Sequence, residues 1–65
     1  MKNYVKCVNS AQSFRHIDEP EIIHVIKTGF RDKYMVVYED AYEQIIGKLV
    51  FGSKAEIEEL FEIEL

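Results

Sequence analysis

Three side chains in this sequence could do metal or nucleophilic chemistry: Cys7, His16 and His24. Structural zinc takes about four ligands, usually in closely spaced pairs. The run Cys-x₈-His-x₇-His pairs none of them, and Asp18 would complete a set without supplying the spacing. A Cys–His nucleophile needs an exposed thiol of lowered pKa with an imidazole beside it, and nothing near Cys7 in the sequence supplies one. The three glycines are isolated, so no Gly-rich phosphate loop is present. A chain of 65 residues rarely encloses a substrate pocket of several hundred Å³. The expectation is a protein without catalytic residues, metal or cofactor, with Cys7 as a small core residue.

Binding is the remaining chemistry, and its candidates fall in two places. The first is the stretch "EIIHVIKTGFRDKYMVVYED", residues 21–40. His24 stands between Ile22 and Ile26 and would mark a partner-facing surface. Phe30, Arg31 and Lys33 crowd a turn, with Tyr34 and Tyr38 following at strand spacing. With Lys27 they form a basic, aromatic patch that could stack bases, as single-strand binders do, or dock an acidic protein surface. The second is the tail "EIEELFEIEL", where Glu58, Glu59, Glu62 and Glu64 are spread over two apolar seams. It reads as a solvated face, an edge that pairs with another chain, or a row of carboxylates imitating phosphates.

The elements that must position these groups are short. Residues 3–8, "NYVKCV", suit a strand, and Asn9–Ser10 has turn chemistry. Residues 9–20 read as a polar loop with one helical turn at most, with Phe14 or Ile17 pinned onto the core. Pro20 lacks an N–H and holds Glu19 extended. Residues 21–28 and 33–39 form a hairpin around "TGFRDK", where Gly29 permits positive φ. Residues 43–51, "EQIIGKLVF", form a fourth strand, with Ile45, Leu49 and Phe51 sharing a face with Gly47. A glycine inside a strand suggests a bulge or bend. Ser53 can cap a helix over residues 54–60, with Glu56 three residues on and Ile57, Leu60 and Phe61 on one face. "LFEIEL" then alternates like a closing strand; one helix running to the end is the alternative.

The hairpin strands are apolar on both faces. A sheet of this kind must close into a barrel, take the helix on one face, or give a face to a partner. The order of elements resembles small five-stranded barrels of the Src-homology-three type, including short phage and prophage proteins. "YVKCVNS" resembles their opening strand, "IIHVIK" and "YMVVYED" their second and third, and "LFEIEL" their closing strand. The chain departs from them in having "IDEPEI" where they carry Leu-Thr-x-Gly-Lys, and in its longer "GSKAEIEE" segment. Such barrels share no activity, so the resemblance implies at most a binding role.

Composition bounds the rest. An apolar share of 48% suits a folded chain. A chain this short buries only about 60% of its unfolded surface, so a dense core or a second copy is a common supplement. A lone cysteine and no signal-like or membrane-spanning run point to a soluble, cytoplasmic protein. Net charge is −4, and all of it lies in residues 53–65, because residues 1–52 carry seven bases and seven acids. That balance argues against non-specific attraction to nucleic acid. The expected fold is α+β and mainly β: a four- or five-stranded antiparallel sheet, partly closed as a barrel of the Src-homology-three type, with one short C-terminal helix. The expected role is a small interaction protein with a protein partner or a second copy of itself, and no membrane.

Overall fold

The computed structural model describes residues 3–9 and 12–65; Ser10, one of the expected turn residues, lies outside them. The elements are β1 (Tyr4–Lys6), β2 (Ser13–His16), β3 (Ile22–Lys27), β4 (Tyr34–Glu39), β5 (Ile45–Phe51) and α1 (Lys54–Phe61). Each strand pairs antiparallel with the next, in the order β1-β2-β3-β4-β5. The sheet is therefore a simple meander with β1 and β5 as its edges, and it does not close into a barrel.

The fifth strand is not the one the sequence suggests. β2 forms inside the polar stretch read as a loop, with Phe14 opposite Ile23 and Ser13 opposite His24. Phe14 is buried as expected, whereas Ile17 is exposed. The expected closing strand is absent: α1 ends at Phe61, and Glu62 takes the left-handed conformation at φ 55°. The Ile63 N–H then returns to the Glu58 carbonyl at 3.1 Å, a left-handed helix stop. Beyond this stop Ile63 is buried and Glu64 exposed. The period-two pattern is thus real, but it describes an extended tail packed beside β1, where Tyr4, Val5, Lys6 and residues 62–64 line one shallow hollow.

One side of the sheet holds the core. Phe14, Ile23, Val25 and Val36 meet Ile57, Phe61 and Ile63, with Tyr4, Tyr34, Tyr38, Phe51 and Leu65 packed around them. Ser53 starts the helix as its cap, its Oγ accepting from the Glu56 N–H at 3.4 Å. The β3–β4 turn departs from expectation in one respect. Arg31, not Gly29, carries the positive φ, at 55°, and the Thr28 hydroxyl donates to the Lys33 carbonyl across the turn at 2.8 Å. In the β4–β5 turn the Asp40 carboxylate accepts from the N–H groups of Tyr42 and Gln44, the Asx geometry that replaces a glycine turn. Just after it the ladder slips: Glu39 pairs with Ile45 but Tyr38 with Gly47, which leaves Ile46 as an extra residue. This bulge turns Ile45 away from Leu49 and Phe51, whose face it was expected to share.

The helix acts as a lid on the core, and the lid hinges on Ile57. Ile57 is 0% exposed and Leu60 is 61% exposed. Ile57→Ala should cost about 2–5 kcal/mol, comparable to the whole stability of a domain this small, roughly 5 kcal/mol. Urea titration followed by circular dichroism should find Ile57→Ala largely unfolded and Leu60→Ala within about 0.5 kcal/mol of wild type. Equal effects at the two positions would mean the helix is not the cover.

Candidate interaction face

The helix covers one side of the sheet, and strand pairing dictates what the other side presents. Its first row across the strands is Val5, Arg15, Ile22, Glu39 and Ile45. The second is Ser13, His24, Val37 and Lys48, and the third is Ile26, Met35 and Val50. The first and third rows hold most of the apolar residues, with Arg15 and Glu39 among them in the first, and the second row is mainly polar. Val5, Ile26, Ile45, Ile46 and Val50 are 39–64% exposed, and Ile22 and Met35 are half-buried. Scattered surface hydrophobics are ordinary, whereas several gathered on one face make that face a candidate for interaction.

His24 is the polar centre of this face. Its Nδ1 lies 2.7 Å from the Ser13 hydroxyl, and its Nε2 lies 3.5 Å from the Glu39 carboxylate. With the ring proton on Nε2, serine donates on one side and the imidazole faces the acid on the other. Ser13 and Glu39 were not singled out from sequence, because only the β2–β3–β4 register brings them to His24. The order Ser–His–Glu is that of a nucleophilic relay. Here it lies along a flat sheet, and such chemistry also needs donors placed for a developing oxyanion. The contacts fix the imidazole in orientation, which suits recognition.

The other expected site residues are dispersed. Phe30, Arg31 and Lys33 are exposed at the β3–β4 turn, and the Arg31 guanidinium stands 6.0 Å from the Phe30 ring centroid. Tyr34 and Tyr38 are half-buried on the helix side, packed against the core, so they do not extend a stacking platform from the turn. Glu58 is half-buried, and its carboxylate accepts from the Leu65 N–H at 2.9 Å. Glu62 ends the helix, while Glu59 and Glu64 are exposed. Cys7, expected in the core, is half-buried and lies outside it. The Nδ1 of His16 accepts from the N–H groups of Asp18 and Glu19. Among the described residues no three His, Cys, Asp or Glu side chains gather as a metal site, and no helix is long and apolar enough to cross a membrane.

Charge is sorted along the strands. The β2–β3 and β4–β5 turns adjoin at one end, where Asp18, Glu19, Glu21, Glu39, Asp40 and Glu43 surround a hollow with Arg15 and His16. Lys27, Arg31, Lys33 and Lys54 lie at the other end, outnumbering Asp32 and Glu56. The neutral sum over residues 1–52 conceals this separation. Comparison with family models, with curated proteins and with solved structures finds no match to the chain.

On the covered side Tyr4 ties β1 to the acidic end. Its hydroxyl donates to the Glu21 carboxylate, and its ring meets those of His16 and Phe61 edge-on at 5.0 and 5.5 Å. Burial first, then the Glu21 hydrogen bond and charge, push the Tyr4 phenol well above its ordinary range; burial and Glu21 also raise Tyr38. Below about pH 10, the usual phenol value, both phenols are neutral whether the chain is folded or not. Above it the unfolded chain ionises first, so the stabilisation is lost as pH rises toward the folded-state values. The melting temperature should therefore fall above about pH 10, and Tyr4→Phe should flatten that fall. An unchanged slope in Tyr4→Phe would remove the coupling.

Proposed function

We propose that this chain is a small non-enzymatic interaction module, an accessory or inhibitory protein of the phage or prophage type, that takes a protein partner on its open sheet face. One observation carries this reading: the apolar rows around His24 are exposed on the side of the sheet that the helix leaves bare. Sealing such a face releases water from apolar surface. The Ser13–His24–Glu39 contacts and Lys48 supply the fixed polar groups that give such a patch its specificity. Arg15 and Glu39 stand in its rim. Glu59 beside β5 and Glu64 beside β1 add exposed carboxylates at the two edges of the sheet. The resemblance of "IIHVIK" and "YMVVYED" to strands of short barrel proteins supports the accessory role, although the closing strand of such barrels is absent among the described residues.

The test is capture of a partner from the cell of origin with the wild-type chain, followed by measurement of its affinity for variants. Ile26→Glu with Val50→Glu places charge on two exposed positions of the open face. Binding should weaken by at least about tenfold, as at other interface centres, with the circular dichroism spectrum unchanged. Glu59→Gln with Glu64→Gln should weaken it less. Full binding by the open-face variant would sink the proposal. Salt-sensitive binding to single-stranded DNA or RNA at low ionic strength, lost on Arg31→Ala and Lys33→Ala, would instead favour a nucleic-acid role for the β3–β4 turn.

A further inference from the structure

The two edges of the sheet are unequal. β1 spans three residues, and the tail from Glu62 to Glu64 runs beside it. β5 spans seven residues and is the longest strand, yet among the described residues no element pairs with its outer side. Natural edges are guarded by shortness, proline, inward charge or a covering segment. β5 contains no proline and one charge, Lys48. Its side chains are apolar and exposed toward both faces: Ile45, Ile46 and Val50 on the open side, Leu49 on the helix side. Phe51 and the exposed Leu60 continue the apolar strip along a shallow hollow between strand and helix.

We propose that β5 pairs antiparallel with β5 of a second copy of this chain, joining two five-stranded sheets across a two-fold axis. Charge selects this occupant. β5 runs from the acidic end of the molecule to the basic end, so antiparallel pairing sets each acidic end beside the basic end of the other copy. Glu43 precedes the strand and Lys54 follows it, which brings Glu43 of one copy to Lys54 of the other, twice by symmetry. Chemistry also selects the register. An axis through Lys48 would oppose two lysines, which destabilises a strand pair. An axis through Leu49 opposes leucine to leucine, Val50 to the stem of Lys48, and Phe51 to Gly47. Nothing within one copy requires glycine there: Gly47 has no positive φ, and an added Cβ would meet only the Tyr38 ring, at an ordinary 3.6 Å. A cross-strand aromatic covering the bare backbone is a role glycine suits.

This pairing leaves Ile22, Ile26 and Met35 uncovered, so it stands or falls apart from the partner-docking proposal. A single strand seam covers less than the about 800 Å² per partner of a standard interface, so the expected Kd is on the order of 10–100 μM. Sedimentation velocity from about 10 μM to 1 mM at low salt should show a monomer passing to a dimer across that Kd, weakening at about 0.5 M salt as end-to-end attraction is screened. Leu49→Lys opposes two charges at the axis and should give a monomer throughout, with an unchanged circular dichroism spectrum. Glu43→Lys or Lys54→Glu alone should raise the Kd about three- to tenfold, and the double swap should restore it. Lys54→Glu also suits the first turn of a helix, so an unfolded helix does not account for its effect. A strict monomer up to about 1 mM in low salt, where surface attraction is strongest, overturns the proposal. So does a dimer that Leu49→Lys leaves intact, or a charge swap without recovery.

Discussion

Helix α1 and the tail of residues 62–65 cover one side of a five-stranded sheet whose two faces both carry apolar residues. That mismatch decides the architecture. The helix and tail supply Ile57, Phe61, Ile63 and Leu65 to one side, where they close a core with Phe14, Ile23, Val25 and Val36. An eight-residue helix spans about 12 Å, enough to seat on one side of the sheet and too little to reach round it. Among the described residues the other side stays bare, with Ile26, Ile45 and Val50 exposed on it.

The bare side is not uniformly apolar, and its polar row has a structural reason. A central strand buried on one face and solvated on the other ordinarily alternates, so a histidine between two isoleucines is placed where solvent would be expected. The Ser13 hydroxyl bonds its Nδ1 from β2, and the Glu39 carboxylate on β4 stands 3.5 Å from its Nε2. Val37 sits between His24 and Lys48 in register and is buried even without a cover. The row thus combines a small dry spot with fixed polar groups, an arrangement that discriminates between partners better than a wholly greasy surface would.

Much of the covered side was legible in the sequence because local signals and burial agree there. Ser53, Ile57 and Phe61 follow helix rules, and the hairpin from Ile22 to Glu39 follows strand rules. The wet and dry alternation of residues 61–65 was correct even though its secondary structure was not. Alternation reports which side chains face the core and does not require a hydrogen-bonded neighbour, and a left-handed Glu62 lets an extended tail meet the core without joining the sheet. β2 was missed because "SFRH" carries one apolar residue; its strand character comes from pairing with β1 and β3 rather than from its own pattern. The Ser13–His24–Glu39 contacts were illegible for the same reason, since they exist only once that register is known. Gly47 signalled an irregularity, but the extra residue is its neighbour Ile46.

The sorting of charge shows how topology turns the neutral composition of residues 1–52 into a field. In a meander, successive turns fall at alternate ends of the sheet. Here the β2–β3 and β4–β5 turns carry acids, while the β3–β4 turn and the start of α1 carry bases. Alternating the sign from turn to turn therefore builds a molecule with opposite ends, though the charges of residues 1–52 sum to zero. Separated charge of this kind acts beyond contact distance. It orients an approaching partner before apolar surfaces meet, and it raises the rate of productive encounter more than the final affinity. A bare sheet face binds many apolar surfaces comparably well. Here that field runs along the strands, parallel to the open face and to β5 beside it.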